Sequence, residues 1–195
     1  MHREILYLFI VYFICSIPFN TLLTLWTTGI NLSQVGTKNA GIANAFRHAP
    51  LWVGCLCVLV EIIKVIGTIW IGALIINPHR IYLYMILLVN IIANLFPVFL
   101  KFKGSKARTV SGWGLLYLSP FLAVFIFGWW ALSFYILKNS RKAVNRTLPI
   151  VPIAIYFGER SWVITALSLV VTLLFYLLNS PERDDFSKLG AGVRQ

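Results

Sequence analysis

Residues 110–137 read VSGWGLLYLSPFLAVFIFGWWALSFYIL, 28 residues without a charge. One unbroken α-helix of that length would reach roughly 42 Å at about 1.5 Å per residue, more than the roughly 30 Å of a bilayer's hydrocarbon core. Proline disrupts a helix interior and disfavours helical backbone at the residue before it, so Ser119-Pro120 predicts a break into two short segments. The flanking charges decide between one crossing and two. Lys101, Lys103, Lys106 and Arg108 precede the stretch, and Lys138, Arg141, Lys142 and Arg146 follow it. Lysine and arginine gather in short cytoplasmic loops, so both clusters belong on one face and the stretch must return to the face it left. Broken helices at membrane depth occur only where protein or a water-filled cavity covers them. The stretch therefore predicts a cavity open to the inner face.

The rest of the chain extends this pattern. Of its 195 residues 59% are apolar and only 12% charged, and the mean hydropathy is +0.82. Further apolar runs cover residues 5–26, 50–76, 81–100, 148–157 and 161–179. Such a chain is a polytopic membrane protein, which excludes a soluble domain of any size. Its net charge of +11 must sit in short loops, where it orients the protein and meets anionic lipid or phosphate; nucleic acid is a poor partner for that arrangement. Besides the two clusters above, Lys38 with Arg47 and Arg183 with Lys188 and Arg194 complete the basic loops. Placing all four clusters inside gives an all-α integral membrane protein of about seven transmembrane helices, some short or re-entrant. Its N-terminus is expected outside and its C-terminus inside, in a single polytopic domain over 1–195 with a short cytoplasmic tail from about 180. The run from Ile5 to Trp26 exceeds a typical signal-peptide core and lacks an Ala-x-Ala site, so it reads as a retained helix.

Two loops carry the candidate chemistry. Gly36-Thr37-Lys38-Asn39-Ala40-Gly41-Ile42-Ala43-Asn44-Ala45-Phe46-Arg47 combines glycines, a hydroxyl, two amides and two cations beside an apolar run. These groups suit phosphate oxygens: glycines allow close approach, and amides and cations donate hydrogen bonds. Residues 39–47 are expected to begin the second membrane helix, whose N-terminal dipole favours an anion. Lys101-Phe102-Lys103-Gly104-Ser105-Lys106-Ala107-Arg108 places four cations around a glycine and a serine. For both loops an ordinary basic juxtamembrane segment is the competing reading. Lys138-Asn139-Ser140-Arg141-Lys142 lacks glycine and reads as a topological anchor.

Elsewhere the signals are sparser. Glu61 and Lys64 stand three apart within an apolar run, the spacing of an intrahelical ion pair, with a polar cavity wall as the second reading. Cys15, Cys55 and Cys57 lie in apolar runs, and the two residues of the Cys-x-Cys pair point apart on a helix, so they read as small buried hydrophobes. No metal or cofactor is implied. His2 and His79 fall at outer ends, and His48 reads as solvated beside Arg47. Among the inner loops no Ser-His-Asp, His-x-x-x-x-Asp or Cys-His set can be assembled, which argues against a protein nucleophile or histidine base.

Several segments resemble the bacterial acyl-phosphate:glycerol-3-phosphate acyltransferases, integral membrane enzymes that form lysophosphatidic acid. Ser16-Ile17-Pro18-Phe19 is similar to that family's SIPFG, and residues 36–47 to its GSGNxGATNxxR, keeping Gly36, Asn39, Gly41, Asn44 and Arg47 with Thr37 for serine. Phe96 to Lys106 closely resembles FPVFLKFKGGK, and Leu118-Ser119-Pro120 matches the LSP that follows. The tail from Arg183 to Gly190 is similar to HRxNIxRLLxG. Lys38 and Ala107 replace family glycines, Ile42 and Ala43 an alanine and a threonine, Asn31 and Ser33 an Asp and an Arg. Asn94 and Glu182 replace histidines, and Pro149 falls near a motif serine.

The resemblance implies transfer of a fatty acyl group from acyl phosphate to glycerol 3-phosphate at the cytoplasmic face of the bacterial inner membrane, in phospholipid synthesis. The implied catalytic residues are Lys106, Arg47 and Thr37. Gly36, Lys38, Asn39, Gly41, Asn44, Lys103, Gly104 and Ser105 are the implied phosphate-binding residues, the glycines through backbone donors. Acyl phosphate is already activated, so proximity and charge neutralisation supply much of the rate. From another class, a noncatalytic protein of the same scaffold would bind anionic lipid or a phosphorylated ligand, and a phosphate transporter is a third reading.

Overall fold

The computed structural model describes residues 2–36 and 38–179. Thr37, Glu182 and the basic tail segment from Arg183 lie outside the described residues. Every regular element among those described is helical. The chain forms two compact units, one up to Leu118 and one from Ser119 onward.

The first unit contains α1 (His2–Ser16), α2 (Phe19–Thr28), α3 (Ile42–His48), α4 (Leu51–Ile71), α5 (Arg80–Leu95) and α6 (Arg108–Leu118). The first apolar run, expected as one helix, is interrupted at Ile17-Pro18, because Pro18 supplies no N–H and displaces Ile17 from helical backbone. A second correction concerns residues 39–47, expected to open the second membrane helix. Pro50 is extended at φ −54° and ψ 148°, so α3 ends at His48 and α4 starts afresh. One wide turn, Gly72–Ile76, prolongs α4, and a 3₁₀ turn, Val98–Leu100, follows α5.

The second unit contains α7 (Pro120–Leu137), α8 (Ser140–Thr147), α9 (Ile150–Glu159) and α10 (Trp162–Leu178). The expected break at Ser119-Pro120 is present, with proline at the start of α7, where its missing N–H is an orphan in any case. The Ser119 hydroxyl hydrogen-bonds the Glu159 carboxylate. Residues 140–147 form a helix capped by the Asn139 side chain, which accepts from the Lys142 N–H at 3.0 Å.

The described helices include four long and apolar enough to span a bilayer, His2–Thr28, Leu51–Ile76, Arg80–Leu100 and Pro120–Leu137, and α9 and α10 are shorter apolar helices. Polarity is arranged as a membrane requires. Trp26 and Phe121 are each 91% exposed, whereas Asn20, Glu61, Lys64, Asn90 and Asn94 are buried. In water that distribution would be unfavourable; in lipid it covers these five polar side chains. Cys15 and Cys57 are buried as expected, but Cys55 is exposed, since residues two apart face different sides of a helix.

Candidate active site

The first basic loop rests on a small apolar cluster. Leu32, Ala45, Val53 and Cys57 are buried together, with Leu23, Val35, Ile42 and Ala49 packed against them. Burying Leu32 alone is worth about 2 kcal/mol. α3 lies close on α4 because residue 54 is glycine; a Cβ there would overlap the Phe46 ring.

Asn44 then sets the shape of the loop. Its buried amide donates to the carbonyls of Leu32 at 2.9 Å, Val35 at 3.1 Å and Asn39 at 3.0 Å. A single side chain thus gathers Leu32, Val35 and Asn39 over the start of α3. Gly36 has φ +57°, and a Cβ at this position would fall 2.7 Å from Asn44 Oδ1 and into the His48 ring. His48 packs here, half-buried, with its Nδ1 3.1 Å from the Asn44 carbonyl, so the ring supports the loop while part of it stays exposed. Lys38 also holds left-handed backbone, φ 52°, at a position where the resembling family has glycine.

Loop two folds back on the end of α5. The Gly104 N–H donates to the Leu95 carbonyl at 3.1 Å and the Ser105 N–H to the Asn94 carbonyl at 2.8 Å. Residue 104 must be glycine here, because a Cβ would overlap the Asn94 carbonyl and the Pro97 ring. Ser105 Oγ accepts the Ala107 N–H at 3.2 Å, just ahead of α6. Ala107, at φ 50°, is the second family glycine replaced at left-handed backbone.

The two loops meet. A Cβ on Gly41 would be 3.6 Å from Ser105 Cβ and 3.2 Å from Asn39 Oδ1. The Gly41 N–H is held by Asn39 Oδ1 at 3.0 Å. The N–H groups of Gly41 and Gly104, expected to reach a ligand, therefore tie the loops into shape. Lys38 and Lys103 are exposed, while Arg47, Lys106 and Arg108 are half-buried along the same loops. Lys106 and Arg108 stand at the N-terminus of α6, where the helix dipole adds to their positive charge.

Beneath the junction lies a cavity of about 20 Å³, with Ser16, Asn20, Ala40, Lys64, Asn94 and Ser105 in its lining. Glu61 Oε1 is 3.4 Å from Lys64 Nζ, so the intrahelical pair expected from the i,i+3 spacing forms and Lys64 also lines a polar cavity. That ion pair lacks hydrogen-bond geometry, and Glu61 Oε1, Asn20 Oδ1 and Ser16 Oγ make no hydrogen bond. Asn20 and Ser16 were not expected at the site. Their signal is a polar side chain inside an apolar run, which is unfavourable in a membrane unless used.

The residue pattern of the glycerol-3-phosphate acyltransferase family matches residues 5–185. A glycerol-3-phosphate acyltransferase of Wolbachia from Brugia malayi is 29% identical over 166 residues, 84% of this chain and 85% of the relative. One from Pasteurella multocida is 26% identical over 188 residues, 96% of this chain and 90% of the relative. In fold, the chain is similar to the crystal structure of PlsY, an integral membrane glycerol 3-phosphate acyltransferase, in its glycerol 3-phosphate form. The TM-score is 0.78 at 20% identity, covering 97% of this chain and 93% of that one. With sequence pattern, full-length relatives and fold in agreement, this chain belongs to the glycerol-3-phosphate acyltransferase family and is a membrane acyltransferase.

Proposed function

We propose that the chain forms lysophosphatidic acid by transferring a fatty acyl group from acyl phosphate to glycerol 3-phosphate. The observation that carries this is the junction of two cation-bearing loops at Gly41 and Ser105, because the reaction brings two phosphorylated molecules together. A glycerol hydroxyl oxygen attacks the acyl carbonyl carbon, the carbon–oxygen bond to phosphate breaks, and inorganic phosphate leaves with the electron pair. The hydroxyl proton passes to the departing phosphate or to water. No protein nucleophile is required, so the contribution of the chain is orientation and charge neutralisation.

Lys106 and Arg47, half-buried on the two loops, are assigned to the phosphates in the transition state, with Thr37 contributing its hydroxyl. Lys38, Lys103 and Ser105 extend the anion-binding surface, and Gly36, Asn39, Gly41, Asn44 and Gly104 hold the loops in shape around it. The topology that goes with this reading has seven membrane segments, N-terminus outside, and the basic loops on the cytoplasmic face of a bacterial inner membrane.

The test uses protein reconstituted in lipid with labelled glycerol 3-phosphate and either palmitoyl phosphate or palmitoyl-CoA. The proposal expects labelled lysophosphatidic acid from palmitoyl phosphate alone. Product from palmitoyl-CoA alone would overturn the choice of donor, and no product from either would overturn the reaction.

A further inference from the structure

Glu61 and Lys64 project from the middle of α4, far in sequence from either basic loop, yet hydrogen bonds lead from this pair to both. On one side Glu61 Oε2 accepts from Asn20 Nδ2 at 3.3 Å, and the same amide group lies 3.4 Å from the carbonyl of Ala40, inside the first loop. On the other side Lys64 Nζ donates to Asn94 Oδ1 at 3.5 Å, and the Asn94 carbonyl receives the Ser105 N–H of the second loop at 2.8 Å. Lys64 also donates to the Cys15 carbonyl at 3.3 Å, one residue before α1 ends at Ser16. Asn94 is steadied in turn by its own amide on the Asn90 carbonyl, 3.0 Å away.

We propose that the Glu61–Lys64 pair is a positioning device that fixes the spacing between the two loops, linking Ala40 to Ser105 through Asn20 and Asn94. A buried ion pair is weak evidence for stability, because apolar residues of similar volume commonly serve as well. Its placement here has a different consequence. In a reaction between two bound phosphorylated molecules, the separation of their binding loops determines whether hydroxyl and carbonyl meet, and misplacement by about 1 Å costs on the order of a hundredfold in rate. Each loop keeps its own internal bonds, Asn44 in the first and Gly104 in the second. Loss of the pair therefore changes the geometry between the substrates more than the hold on either one.

This inference rests on the reading of the loops as a two-phosphate site, and the experiment separates the two. Wild type, Lys64→Met, Asn20→Leu and the double variant Glu61→Gln/Lys64→Met are reconstituted as full chains. The double variant leaves no single charge buried, so it guards against a simple failure to fold. Turnover with palmitoyl phosphate and glycerol 3-phosphate is read together with amide hydrogen exchange at residues 38–41 and 104–107. The expected result for the double variant is a fall in kcat of about thirtyfold, within the range for misplaced reactants, with both KM values unchanged within about threefold. Exchange quickens in both loops together. A wild-type kcat, or exchange altered in neither loop or in one only, would overturn the inference. So would a rise of more than about tenfold in one KM at unchanged kcat, which would make Lys64 a substrate contact. A wild type that makes no product would defeat the reaction assigned above, while the exchange data would still decide whether the pair couples the loops.

Discussion

Gly104 lies directly against the main chain of Asn94: a Cβ at residue 104 would overlap the Asn94 carbonyl oxygen, while the adjacent Ser105 N–H bonds that same carbonyl at 2.8 Å. The approach is possible only because residue 104 has no side chain. Gly104→Ala must push the second loop off the end of α5, at a cost of about 1–3 kcal/mol for the overpacking. Turnover is expected to fall at least tenfold. Gly112→Ala is the control, since a Cβ there meets nothing within 4 Å and helix propensity favours alanine by up to about 1 kcal/mol. Rates and thermal melts of the two variants check the contrast.

Lys38 and Ala107 hold left-handed backbone at φ 52° and 50°. A side chain in that region costs roughly 1–2 kcal/mol. Lys38 is exposed, so Lys38→Gly relieves the strain and is expected to stabilise by about 1 kcal/mol. Ala107 is only 3% exposed, and removing its methyl forfeits about 0.8 kcal/mol of burial. Ala107→Gly is therefore expected to be close to neutral. Melting temperatures measured in one detergent distinguish the two outcomes.

Asn44→Ala removes the amide whose two N–H groups are shared among the carbonyls of Leu32, Val35 and Asn39. At about 1 kcal/mol for each N–H, the loss is about 2 kcal/mol. Both stability and turnover should fall together. Arg47→Ala, on the next turn of α3, is expected to depress turnover by at least as much as Asn44→Ala, because its guanidinium is assigned to a phosphate in the transition state. Parallel melts and rates check both variants.

The break at Ser119-Pro120 was legible because proline and charge placement pointed the same way. Pro18 and Pro50 carry the same local chemistry, yet neither break is legible alone: apolar composition continues across Pro18, and at Pro50 the polar loop runs into an apolar segment with no charge pattern to separate α3 from α4. The ion pair of Glu61 and Lys64 is visible in their spacing. Their partners are not, because Asn20 lies 41 residues from Glu61 and Asn94 lies 30 from Lys64, and only the fold brings them together. Likewise the glycines in the loops signalled close approach. What approaches is the protein itself, the Asn39 side chain at Gly41 and the Asn94 and Leu95 carbonyls at Gly104, which a sequence pattern for phosphate binding does not distinguish from a ligand.

If the two loops form one defined site, its turnover depends on Lys106 in particular and not on positive charge in general. The measurement is the initial rate of lysophosphatidic acid formation from palmitoyl phosphate by wild type, Lys106→Ala and Lys142→Ala in the same lipid. Lys142 belongs to α8, in the second unit, and is a cation of equal charge with no assigned role. Lys106→Ala is expected to lose at least a hundredfold, on the scale of removing one transition-state donor, and Lys142→Ala to keep nearly full turnover. Equal loss in both variants would mean that diffuse positive charge suffices, and it would contradict a defined two-loop site.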